Sequence, residues 1–70
     1  MRLLVLNPNT SAAMTAGIAA AARAVAAPGT EVIAAQPGFG PLSIEGQFDE
    51  AIAAAGVAEQ MRLQAGRFDA

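Results

Sequence analysis

The chain is expected to be an α/β protein of βαβα order with parallel strands, and three features of the sequence lead there. Leu3, Leu4, Val5 and Leu6 form an aliphatic run without polar alternation, the pattern of a strand covered on both faces. Met14, Ile18, Ala22 and Val25 then recur at helical spacing, which places an amphipathic helix directly after that strand. A second β-branched run, Thr30 to Ala35, follows the helix, so the two strands are joined by a helical crossover and should lie parallel, with the right-handed connection such units adopt.

The first strand is expected near Arg2–Asn7. Pro8 lacks a backbone N–H and pushes Asn7 out of the helical region, so the strand ends there. Asn9, Thr10 and Ser11 carry short side-chain oxygens suited to a helix start; Thr10 is the expected N-cap, with Asn9 or Ser11 as close alternatives. The first helix should run from about Ser11 to Ala26, with Met14, Ile18, Ala22 and Val25 packed on the sheet. Its other faces are mostly alanine, with Arg23 as the only charge, a surface either covered by another subunit or domain or simply the face of an alanine-rich helix. Pro28-Gly29 stops the helix. After the second strand, Glu31–Ala35, the segment Gln36 to Ser43 holds two prolines and two glycines and must be a loop. It leaves the sheet at the same end as the Asn7–Ser11 turn, and Phe39 in it either walls the shared crevice or tucks onto the core.

A second helix is expected over Gln47–Gly66. Asp49 and Glu50 complement its dipole, Phe48 and Ile52 pair at a spacing of four, and Gly66 serves as C-cap. Gly56 breaks the apolar phase, which predicts an irregularity at Ala55–Gly56. Arg67 to Ala70 resemble the lead into a third strand. Two strands leave open sheet edges, so these residues are expected to form the amino-terminal part of a larger protein, residues 1–70 being incomplete as a domain.

Composition excludes several functions. Seventy residues support one small domain at most, and the absence of cysteine and histidine removes disulfides and the ordinary metal-ligand sets, so no metal site is expected. The net charge of −2, with Arg2, Arg23, Arg62 and Arg67 as the only cations, offers no basic patch for nucleic acid. The apolar run Leu3–Leu6 is too short for a signal peptide, and Thr15, Gly17 and Arg23 interrupt the alanine-rich stretch, so no membrane partner is expected and the cytoplasm is the default location. A small-molecule substrate, or another protein chain, is the remaining partner.

The turn is the candidate site. Where a parallel strand ends and a helix begins, free N–H groups and the helix dipole converge on a small volume that suits an anion or a polarised carbonyl. Capping requires one Ser or Thr, whereas Asn7, Asn9, Thr10 and Ser11 crowd this junction.

Leu6-Asn7-Pro8-Asn9-Thr10-Ser11, followed by Met14-Thr15, resembles the amino-terminal signature of the hydantoin racemase branch of the aspartate/glutamate racemase superfamily. Pro41-Leu42-Ser43-Ile44-Glu45-Gly46 with Asp49-Glu50-Ala51 is similar to the same branch, at the family's usual separation. The resemblance implies a flavodoxin-like three-layer α/β fold, of which this βαβα portion is the first half of one lobe in a two-lobed enzyme. It implies a cofactor-independent racemase that inverts the carbon next to a carbonyl in a 5-substituted hydantoin, allantoin or an acidic amino acid, acting as a homo-oligomer. The proton transfer would be run by a cysteine pair that is not among these residues, so the chain holds no catalytic residue and is expected to be inactive alone. Asn7, Asn9, Thr10 and Ser11 would hold the substrate carbonyl or carboxylate, with Pro41, Ser43 and Ile44 lining the pocket from the second loop. Arylmalonate-decarboxylase-like and maleate-isomerase-like relatives share this fold and turn. A non-catalytic anion-binding module is the alternative of another class, against which stand the missing glycine-rich phosphate cradle and the absence of lysine.

Overall fold

A computed structural model describes all residues from Met1 to Ala70. Strand β1 (Arg2–Leu6) is followed by helix α1 (Ala12–Val25), strand β2 (Glu31–Ala35) and helix α2 (Gln47–Leu63). The strands are parallel and adjacent, in register from Arg2 against Glu31 to Leu6 against Ala35. The ladder extends one step at each end, Glu31 N–H donating to Met1 O at 2.9 Å and Asn7 N–H to Ala35 O at 3.0 Å. Odd-numbered residues of β1 therefore face β2, and the even-numbered ones face the opposite edge.

That opposite edge is already engaged. Ala70 N–H donates to Arg2 O at 3.3 Å and Leu4 N–H to Ala70 O at 2.8 Å, the alternation of a parallel ladder centred on Leu3, so Arg67–Ala70 does lead into strand pairing. The Asp69 carboxylate fixes this register, accepting from Arg2 N–H at 2.6 Å and facing the Arg2 guanidinium at 3.5 Å. At the far edge of β2, Arg23 reaches from α1 to donate to Val32 O at 3.0 Å, which blunts that edge with a charge.

Helix α1 packs on β2, but through a face turned from the expected one. Ala19 is buried and Thr15, Ile18 and Ala22 are half-buried, while Met14 and Val25 are exposed. The rotation follows from Thr15, whose hydroxyl is held inward by Asn7 and by Ser11 O. The N-cap is Ser11, one of the two alternatives to Thr10: Ser11 Oγ accepts from Met14 N–H at 3.2 Å, and the helix begins at Ala12.

Helix α2 is continuous through Gly56, so the expected irregularity at Ala55–Gly56 is absent. A Cβ at Gly56 would stand 2.7 Å from Pro37 Cβ and 3.3 Å from Phe39 O, so this glycine is required by close packing of the helix on the second loop and leaves the helix unbroken. The helix ends at Leu63, earlier than expected, with Gln64 N–H bonded to Gln60 O at 2.9 Å and Gly66 at φ +83° reversing the chain. Its first turn lacks a side-chain cap at Gly46, and Asp49 reaches back to Glu45 N–H at 3.1 Å in its place. Phe48 is 78% exposed and makes no buried pair with Ile52, and Phe39, at 49%, is not tucked on the core.

Only eight of 70 residues are buried, among them Ala19, Val32, Ala35 and Ala53, a core too thin to hold a free-standing domain strongly. No helix is long and apolar enough to cross a membrane.

Two outcomes follow for the full-length protein. Gly56→Ala should gain up to about 1 kcal/mol of helix propensity and lose about 1–3 kcal/mol to overpacking, lowering the melting temperature; an unchanged or higher value would mean Pro37 yields. The backbone N–H of Arg2, then its charge, holds the Asp69 carboxyl below its ordinary value of 3.8. A depressed carboxylate stabilises the fold above that ordinary value and ceases to as pH falls through the lower folded one. Asp69→Asn should thus remove part of the fall in melting temperature below about pH 4, and parallel acid profiles for the two proteins would refute the contribution.

Candidate functional site

The junction of β1 and α1 is built on the Asn7 side chain. Asn7 continues the sheet through its backbone, while its side chain, with the residue only 2% exposed, turns into the space before the helix. Asn7 Nδ2 donates to Asn9 Oδ1 at 2.8 Å and lies 3.0 Å from Thr15 Oγ1 and 3.3 Å from Ser11 O. Asn7 Oδ1 in turn accepts from Asn9 N–H at 3.2 Å. Asn9 Oδ1 also takes Ser11 N–H at 2.9 Å, the local side-chain-to-backbone bond that asparagine favours in turns. Proline at position 8 completes the logic, because a residue without an N–H leaves no donor to satisfy at the tip.

Thr10 faces away from the helix and joins the two loops. Its N–H donates to Pro41 O at 3.0 Å, its hydroxyl to Gly40 O at 3.2 Å, and its carbonyl accepts from Gln36 Nε2 at 3.0 Å. Every polar group of this residue thus meets the loop after β2, which explains why it does not cap α1. The two loops leave the sheet at the same end and are joined to each other through Thr10.

The remaining outward donors are few. The amides of Ala12 and Ala13, at the start of α1, have no backbone acceptor, and the Ser11 hydroxyl has accepted Met14 N–H but retains its own hydrogen. The side-chain donors of Asn7 and Thr10, expected to point at a ligand, are engaged inside the protein. Of the second-loop residues, Pro41 gives its carbonyl to Thr10, Ser43 is exposed, and Ile44 lines an open apolar groove of about 430 Å³ with Pro8, Ala53, Val57 and Met61. Gln36 and Thr15 hold the site together, though neither was among the expected site residues and Thr15 stood only in the family motif. Gln36 stands one residue past β2, at the sheet end where the loops meet, and that position was the available signal. No cluster of carboxylates that could hold a metal is present.

A parallel βαβ unit with a locked polar turn at the carboxyl end of its first strand defines an open-sheet α/β protein of the kind that places ligands at that end. The sequence profile of the Asp/Glu/Hydantoin racemase family matches residues 3–70, and the chain belongs to that family. It is 55% identical over 53 residues to the hydantoin racemase of Paenarthrobacter aurescens, covering 76% of this chain and 22% of that protein. To the hydantoin racemase of a Pseudomonas species it is 44% identical over 62 residues, covering 89% and 25%. Among solved structures it resembles the allantoin racemase from Klebsiella pneumoniae, with a TM-score of 0.90 and 63% identity over 96% of this chain and 27% of that one. The allantoin racemase of Pseudomonas fluorescens gives a TM-score of 0.93 and 46% identity over 99% and 29%. The chain thus spans between 22% and 29% of the length of these relatives.

Because Asn7 satisfies several buried partners at once, Asn7→Ala in the full-length protein should cost about 1–3 kcal/mol or more through the groups it strands. The check is a thermal or denaturant melt, and an unchanged melting transition would show that water replaces the amide.

Proposed function

We propose that this chain is the substrate-holding amino-terminal portion of a cofactor-independent racemase acting on a 5-substituted hydantoin ring, of which allantoin is one. The observation that carries the reading is the identity of 44% to 63% with hydantoin and allantoin racemases over most of the chain. The turn suits the chemistry. Removing the proton beside a carbonyl moves negative charge onto the carbonyl oxygen, and donors fixed in advance at that oxygen stabilise the transition state. Ser11 Oγ–H and the amides of Ala12 and Ala13 are those donors, at the positive end of the α1 dipole. Asn7, Asn9 and Thr10 serve the same site by holding the turn rigid, so donors need no reorganisation as charge develops. Pro41 secures Thr10, Ile44 supplies apolar surface beside Pro8, and Ser43 lies at the rim of the second loop.

Proton abstraction itself requires a base, and no cysteine or histidine is present here. A thiol pair supplied by parts of the protein outside these residues would remove the proton from one face and return it to the other. Such an enzyme would work in the cytoplasm as a homo-oligomer, the alanine-rich surface of α1 being suited to subunit contact.

Ala12→Pro tests the donor role without removing a side chain. Proline is well tolerated at the first helical position, and Ser11, at φ −76° and ψ 107°, already has the backbone that a following proline demands. In the full-length protein the variant should keep its melting temperature while racemisation, followed as loss of optical rotation of a chiral 5-substituted hydantoin, falls by a factor of about a hundred to a thousand. Undiminished turnover in a folded Ala12→Pro protein would refute the assignment of that amide.

A further inference from the structure

We propose that Met14 is an oxidation-sensitive control point of the turn, a role that rests on the reading of the turn as the substrate-holding element. Within these residues Met14 is 49% exposed, whereas Asn9 is only 8% exposed. The Met14 thioether is nonetheless tied to that buried residue, Sδ accepting from Asn9 Nδ2 at 3.1 Å. Met14 also donates its N–H to the N-cap oxygen of Ser11 at 3.2 Å. The same Asn9 side chain, through Oδ1, holds Asn7 Nδ2 and Ser11 N–H. A soft sulfur on a half-exposed residue thus sets one end of a buried amide whose other end organises the donors.

The reaction is the oxidation of a thioether by a peroxide. One peroxide oxygen is transferred to Sδ, the O–O bond breaks, an S–O bond forms, and hydrogen peroxide leaves as water; the sulfur is oxidised and the peroxide reduced. A thiol-dependent sulfoxide reductase reverses it, returning two electrons and releasing the oxygen as water. The sulfoxide oxygen is a strong acceptor where the thioether sulfur is a weak one, and a contact of 3.1 Å leaves no space for an oxygen between Sδ and Nδ2. Either the Asn9 amide or the first turn of α1 must move, and both movements shift the Ser11 hydroxyl and the neighbouring amides. Met61 is 55% exposed and has no polar partner, so it supplies an internal reference.

The full-length protein is titrated with hydrogen peroxide and mapped by peptide mass spectrometry, with the Asn9 side-chain amide followed by NMR and a chiral 5-substituted hydantoin as ligand. The expected result is a one-oxygen adduct on Met14 no later than on Met61, a displaced Asn9 amide signal, and hydantoin affinity weaker by about three- to tenfold, the worth of a lost neutral hydrogen bond. Sulfoxide reductase should restore both signals, and in Met14→Leu peroxide should move neither. Met14 left reduced while Met61 is oxidised, or a Met14 sulfoxide with an unmoved Asn9 signal, overturns the proposal. If the untreated protein binds no hydantoin, the substrate reading fails, and the Asn9 signal still decides whether the sulfur controls the turn.

Discussion

The rest of this structure depends on one buried side-chain amide. At the end of β1 the chain must stop sheet pairing and begin a helix within five residues, Asn7 to Ser11, and the backbone groups released there need partners out of reach of water. Asn7 meets two of them, Asn9 N–H and Ser11 O, from a single side chain, because an amide combines two donors with an acceptor. Threonine would offer one hydroxyl and aspartate no donor, so neither could serve Asn9, Ser11 and Thr15 together. Since the Asn7 backbone closes the β1–β2 ladder, the geometry of the sheet passes directly into the geometry of the turn.

Thr10 carries that order to the second loop. A loop with two prolines and two glycines has little intrinsic preference for any conformation that helix or sheet would supply, and it must be fixed by contacts. Three hydrogen bonds between Thr10 and the segment Gln36 to Pro41 provide them on one side, and Gly56 provides the other by letting α2 sit directly on Pro37. The loop is clamped between a turn and a helix. Close approach at a glycine and hydrogen bonding at a threonine are different forces, yet each restrains the same few residues.

This division explains what the sequence disclosed. β1, α1 and β2 were legible because aliphatic runs, helical spacing and Pro28-Gly29 are local signals that tertiary contacts here reinforce. The family was legible for a related reason, since Asn7 to Ser11 is a contiguous motif. The N-cap stayed open among neighbours because what decides between Thr10 and Ser11 lies at Gly40 and Pro41, some thirty positions away, where no local propensity reports. Gly56 misled in the same way: propensity marks a helical glycine as a weakness, whereas its cause is a proline on another element. The inward turn of Thr15, and with it the true packed face of α1, hung on the Asn7 amide, which looked like a ligand contact when read alone.

Preorganisation gives the arrangement its chemical value. Had Asn7 and Thr10 been free to meet a ligand, each would also have been free to rotate, and ordering a side chain on binding costs about 0.5–1.5 kcal/mol. Locked into the protein, they leave the Ser11 hydroxyl and the first helix amides as the outward donors, whose directions are set by helix geometry and do not relax when charge appears nearby. Main-chain donors also resist substitution, since no ordinary side-chain change removes them. The polar residues of the turn are therefore best understood as the mould and the helix amides as the surface it shapes, which places the demand for particular residue types one layer behind the atoms that a ligand would touch.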